Sequence, residues 1–144
     1  MEFFEKFLSD TENSRALEAA LYTLRNAGKR IRPNLVFKTA ALFDVYDENV
    51  ERIACAVELI HNYSLIHDDL PCMDNDDLRR GRATCHKVYG EDIALLAGDG
   101  LLNTAFEILS ADNGFEALSP SARLEIIRCL SGASGVLGMI GGQV

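Results

Sequence analysis

The chain has no tryptophan and only three prolines in 144 residues, while nearly half of it is apolar. That combination excludes a disordered chain and favours a globular, mostly helical one. Basic residues are scarce too, fourteen against twenty-two acidic for a formal charge of −8, which argues against a nucleic acid or an anionic membrane as partner. The opening MEFFEKFLSD lacks the basic start of a signal peptide. No clean apolar run of about 20 residues is present, so membrane insertion is not expected; the nearest candidate, SGASGVLGMIGGQV, is short and glycine-rich. The cysteines, Cys55, Cys72, Cys85 and Cys129, show no C-x-x-C spacing and read as free buried thiols in a reducing cytoplasm. A zinc site from Cys72, Cys85 and His86 fits no familiar spacing. With no repeat, no low-complexity linker and no useful strand-like alternation, residues 1–144 read as a single domain large enough to bury a core.

Helices account for what is present. Residues 14–26 carry apolar positions at helical spacing and stop at Gly28. Pro33 fits the first turn of a second helix running to about Phe43. Asp47 or Asn49 can cap a third that starts near Val50 and is apolar almost all round through ERIACAVELIHNYSLIH. Such a helix belongs deep in the protein. Leu70-Pro71 should end or kink it, leaving a loop or irregular helix to Gly90. A fourth helix covers about 91–109, and Ser119-Pro120 cap a last one that is expected to run on to Val144. Gly132, Gly135, Gly138 and Gly141 recur along that last helix, a pattern costly for helix propensity and suited to close approach of a neighbouring helix.

The chemistry concentrates in HDDLPCMDNDDLRRGR, residues 67–82. His61, Ser64 and Asp68 share one stripe of an otherwise apolar helix, and such a stripe must be paired internally or face a wet cavity. Asp68 and Asp74 are six residues apart, off register for one helical face, but a break at Pro71 can loop out two residues and bring them together. Adjacent carboxylates raise each other's pKa unless a cation neutralises them, and an all-oxygen pair suits magnesium, which uses one or two carboxylates together with substrate phosphates. The arginines that follow can bind phosphate oxygens bidentately. A second basic cluster, GKRIRP (residues 28–33), sits at a helix junction where Lys29 and Arg32 can converge on an anion. Two basic clusters and one acidic site imply two phosphorylated substrates.

These motifs, GKRIRP, then ELIHNYSLIHDDLPCMDNDDLRRGRATCHKVYGEDIALLAGDGLL and finally GGQ, resemble the trans-isoprenyl diphosphate synthases, the family of farnesyl and geranylgeranyl diphosphate synthases. DDLPCMD is similar to the family's first aspartate-rich motif in its DDx4D form. The resemblance spans residues 14–144 and implies an all-α fold of antiparallel helices around a central apolar cavity, usually in a homodimer. It implies head-to-tail condensation: an allylic diphosphate ionises, isopentenyl diphosphate attacks the cation and a proton is lost. On that pattern Asp68 and Asp74 bind magnesium with Asp69 in support, Arg79 contacts the allylic diphosphate, and Lys29, Arg32, His61 and Arg80 hold isopentenyl diphosphate. Gln143 lines the allylic pocket. Tyr63 and Ser64, five and four residues before Asp68, are where such enzymes set product length, and an aromatic at Tyr63 favours a farnesyl product. A core tyrosine with a satisfied hydroxyl is the plainer account of Tyr63.

The chain departs from the pattern at Ala27, where a glycine is frequent, and at Arg82-Ala83, where a proline commonly precedes threonine. The resemblance also places a second aspartate-rich motif beyond Val144, so the chain is expected to be the N-terminal half of a short-chain synthase and inactive or nearly so alone. A geranylgeranyl synthase and a noncatalytic subunit of a heteromeric synthase are the alternatives. A terpene cyclase is disfavoured because GKRIRP and His61 serve a second diphosphate.

Overall fold

The structure, a computed structural model, describes residues 14–26, 28–111 and 118–143. The acidic opening stretch, Ala27 and Val144 lie outside the described residues. The first helix, α1 (Arg15–Arg25), begins where the Ser14 hydroxyl accepts from Leu17 N at 3.1 Å. Helix α2 is Ile31–Ala41 and α3 is Glu48–Asp68. Asp47 caps α3, its carboxylate accepting from Asn49 N at 3.0 Å and Val50 N at 3.4 Å; two amides that no helical carbonyl can reach are thereby satisfied. A two-stranded hairpin follows, β1 (Leu78–Arg79) and β2 (Arg82–Ala83). Helix α4 is Cys85–Tyr89, α5 is Glu91–Ser110, and α6 is Pro120–Ser134 with Ser119 as its cap.

Helices α3 and α5 form the central pair, flanked by α1 and α4, while α2 packs on α3 and α6 on α5. Leu59 and Ile66 of α3 and Leu101 and Ile108 of α5 are each at most 1% exposed; burial of such side chains contributes about 1.5–3 kcal/mol apiece. Small residues let the pair approach: Ala94, Ala97 and Ala105 are buried, and a Cβ at Gly98 would run into the His67 ring. Helix α5 is long and apolar enough to cross a membrane by length and composition, contrary to the expectation of no such stretch. It packs against four other helices, although Leu95 and Leu96 stay 46% and 54% exposed. Helix α2 behaves differently: none of its residues is buried, and beyond it Leu42, Phe43 and Tyr46 are more than 70% exposed.

Two expectations need correction. The segment 71–90, expected to be loop or irregular helix, contains the hairpin and α4. Its tight turn places Arg80 at φ 55° and Gly81 at φ 77°, the paired left-handed conformation whose twist matches a two-residue hairpin. Arg-Gly is a weak signal for that turn. The last helix does not run to Val144 but stops at Ser134, followed by turns and a 3₁₀ segment at Gly141–Gln143. There Met139 N bonds back to Ala133 O at 2.9 Å, and Cβ atoms at Gly138 and Gly141 would collide with the carbonyls of Ala133 and Val136. These glycines serve backbone turns, not helix contact. Helix α2 starts at Ile31, which leaves Pro33 in its first turn as expected.

Candidate diphosphate and metal site

Helix α3 delivers the carboxylates. Past Asp68 the chain turns at Leu70-Pro71, and Asp74 N donates to Asp68 O at 2.8 Å, with Met73 N and Asn75 N both bonded to Leu70 O. Leu70 is buried and anchors this turn. Burial raises the Asp68 carboxyl above its ordinary range, and Asp74 raises it further. A divalent cation would relieve that repulsion, so the pair fits a hard ion. Among the described residues no three histidine, cysteine or acidic side chains converge on one point. Gln143 joins this site from the other end of the chain, its Nε2 donating to Asp68 Oδ1 at 2.5 Å.

Asp69 lies elsewhere. Successive helical residues are rotated by about 100°, and the Asp69 side chain, on a residue only 3% exposed, takes Arg79 Nε at 2.7 Å and Arg79 Nη2 at 2.5 Å. Arg79 Nη2 also reaches Asp76 Oδ2 at 3.5 Å. Asp69, expected beside the metal, is therefore the counter-ion that holds the hairpin arginine. Arg79, expected on the allylic diphosphate, has Nε and Nη2 engaged by protein carboxylates. Its bond to Asp69 raises an already high pKa. Asp77 pairs with Lys87 at 2.9 Å.

A second site lies at the start of α2. A cavity of about 390 Å³ is lined by Gly28, Lys29, Arg32, Glu58, His61 and Arg80 among others. Four of these are the basic residues expected to share one anion, brought together from segments about 50 positions apart. Arg80 Nη1 donates to Asn26 O at 2.9 Å, and its guanidinium passes so close to Gly28 that a Cβ there would lie 2.7 Å from Cζ. Arg32 Nη1 contacts His61 Nε2 at 3.4 Å; a guanidinium only donates, so His61 accepts there as the neutral ring. Burial, then Arg32, Arg80 and Arg79, lower the His61 pKa to about 4. Arg30, for which no role was foreseen, occupies the cap of α2 at φ 47°. Glu58, 7% exposed in the same cavity, was not foreseen either.

Tyr63 is 5% exposed and sits edge-on to His67 with centroids 5.6 Å apart. Its hydroxyl is buried and finds no hydrogen-bond partner among the described residues. Burial and Asp68 push the phenol above its ordinary pKa. Ser64 Oγ donates back to His61 O at 2.9 Å. His67 was missed by sequence reasoning: its Nε2 contacts Leu95 O at 3.1 Å and ties α3 to α5 beside Asp68. All four cysteines are free thiols, but only Cys85 is buried; Cys55 is half-buried, and Cys72 and Cys129 are exposed.

Comparison with known proteins gives a consistent set of matches. The polyprenyl synthetase family pattern matches residues 13–144. The chain is 48% identical over 127 residues to a farnesyl diphosphate synthase of Bacillus subtilis, covering 88% of this chain and 43% of that protein. It is 50% identical over 127 residues to a chloroplastic heterodimeric geranylgeranyl pyrophosphate synthase large subunit 1 of Arabidopsis thaliana, covering 88% of this chain and 34% of that one. Among solved structures, an FPP/GFPP synthase from Zymomonas mobilis superposes with a TM-score of 0.91 at 49% identity, covering 99% of this chain and 51% of that one. A geranyltransferase from Legionella pneumophila gives 0.90 at 44%, with 98% and 50% covered. The chain thus spans about half or less of the length of these relatives.

Proposed function

The chain belongs to the polyprenyl synthetase family, and from that premise we propose that it forms the isopentenyl diphosphate side and half of the metal site of a short-chain prenyl diphosphate synthase. The observation that carries this reading is the joint lining of one cavity by Lys29, Arg32, His61 and Arg80, with His61 on the helix that ends in Asp68. His61 and Asp68 are two helical turns apart, about 10 Å, which suits two diphosphates held side by side with their reacting carbons adjacent.

In this reading isopentenyl diphosphate is gripped by Lys29, Arg32 and Arg80, with His61 as a neutral donor from Nδ1. The allylic partner, dimethylallyl or geranyl diphosphate, approaches Asp68 and Asp74, which would hold magnesium and so supply positive charge to offset that of the departing diphosphate. Gln143 orients Asp68 and borders the allylic pocket. Arg79, clamped by Asp69 and Asp76, adds positive charge beside the same leaving group. The allylic C–O bond breaks, the isopentenyl double bond attacks the cation, and a proton leaves the adjacent carbon. Tyr63, buried one turn and a half below Asp68 with its hydroxyl unpaired, limits the growing chain to farnesyl length. Transfer in the cytoplasm, where four free thiols persist, and assembly as a homodimer or other helix-packed oligomer complete the proposal. The apolar surface at Leu42, Phe43, Tyr46, Val136 and Leu137 supplies an area for such packing.

The test is a coupling assay with isopentenyl diphosphate, geranyl diphosphate and magnesium. Residues 1–144 alone should turn over little or nothing, and adding a chain that carries the remaining helices of a synthase should restore farnesyl diphosphate formation. Robust turnover by 1–144 alone would refute the half-site reading. Failure of complementation together with tight diphosphate binding would favour a noncatalytic subunit.

A further inference from the structure

The end of α1 is fastened to the hairpin by contacts that the function described above does not use. Asn26 Nδ2 donates to Arg79 O at 3.2 Å, and Arg80 Nη1 donates to Asn26 O at 2.9 Å. One helical turn earlier, Tyr22 Oη donates to Ala83 O at 2.8 Å, and the Arg82 guanidinium lies 4.9 Å from the Tyr22 ring centroid. Asn26 therefore bonds to two successive hairpin residues, through its side chain to Arg79 and through its main chain to Arg80. Two residues further on comes Gly28, which passes beneath the Arg80 guanidinium, and Lys29 follows directly.

The hairpin needs such an anchor. Its ladder is two residue pairs long, Leu78 with Ala83 and Arg79 with Arg82, and an isolated two-stranded hairpin is at best marginal in water. Arg80 itself holds a positive φ of 55°, a conformation that a side chain of this size adopts only when its surroundings enforce it. A bond to the carbonyl of the residue just before Arg80 acts where that enforcement is needed.

We propose that Asn26 is a positioning residue for diphosphate recognition: its amide, bonded to Arg79 O beside the turn, fixes the backbone so that the Arg80 guanidinium lies across Gly28 in the cavity shared with Lys29, Arg32 and His61. The inference rests on reading that cavity as a diphosphate site. Asn26 touches no ligand in this scheme. It joins the two basic segments, 28–32 and 79–80, whose separation in sequence would otherwise leave them to find their geometry independently.

The test uses the full 144-residue chain and titrates it calorimetrically with inorganic diphosphate and with isopentenyl diphosphate. Asn26→Ala removes the side-chain donor and leaves the carbonyl that Arg80 uses. Both dissociation constants should rise about three- to tenfold, the consequence of one neutral hydrogen bond. In an Arg80→Gln background the same substitution should change them by less than about twofold, since the amide acts through Arg80. Thermal unfolding checks that the variant folds; should it not, the isosteric Asn26→Asp, which also lacks the donor, takes its place. Unchanged dissociation constants overturn the proposal, as does an equal change in both backgrounds, which is what a merely structural role would give. An unmutated chain that binds neither anion overturns the diphosphate reading itself and this inference with it.

Discussion

Filling the basic cavity with inorganic diphosphate should raise the pKa of His61. In the empty chain burial comes first in holding the imidazole down to about 4, and Arg32, Arg80 and Arg79 add to it. A single unit charge at about 5 Å in an effective dielectric of about 20 is worth roughly 3 kcal/mol, which is about two pK units. His61 is only half-buried, and screening by solvent brings the expected rise to about one unit. The assay is a pH titration of the three histidine ring signals by NMR, with His61→Gln identifying the relevant one. The free chain should show a midpoint near 4 for His61, and the diphosphate-saturated chain one about a unit higher. A His61 that titrates near 6.5 with or without diphosphate would refute both the desolvation and the arginine argument. The same shift has a stability consequence. Because the folded value lies below the unfolded one of 6.5, the unfolded chain binds the extra proton between these limits. Stability is therefore fully present above pH 6.5 and falls as the pH drops from 6.5 toward 4, by about 1 kcal/mol after screening. His61→Gln should flatten that part of the stability profile.

Two further substitutions address the supports of the site. Asp69→Ala removes the counter-ion of Arg79, whose side chain is 28% exposed; partial burial of the stranded cation should cost about 3 kcal/mol in urea unfolding, with faster amide exchange across residues 78–83. Gly98→Ala drives a methyl into the His67 ring and should cost about 1–3 kcal/mol; an unchanged urea midpoint would mean that α3 and α5 are not as close as described.

Much of the helical frame was legible because its signals are local. Asp47, one of the two caps offered for α3, and Ser119-Pro120 for α6 cap as read, and Pro71 ends α3 for want of an amide donor. The hairpin was not legible, since two left-handed residues, one of them Arg80, and a ladder of two pairs leave almost no period-2 pattern. The end of α6 was misread for a related reason. Apolar residues continue through Val136, Leu137 and Ile140 at spacings a helix would tolerate, and only the carbonyl crowding at Gly138 and Gly141 shows that the backbone has left the helix.

By itself, the sequence determined the four long helices α1, α2, α3 and α5 and the start of α6, where carboxylates and guanidinium groups cluster, and that Asp68 and Asp74 can be rejoined across Pro71. These follow from caps, periodicity and ring constraints within a few residues of each other. Tertiary structure decided the rest: that the Asp69 carboxylate clamps Arg79, that Arg80 meets Lys29 and His61 in one cavity, that Gln143 returns to Asp68, and that His61 stays neutral. Each depends on distances between elements remote in the chain and on the water excluded when they pack, quantities that no local pattern of residues carries.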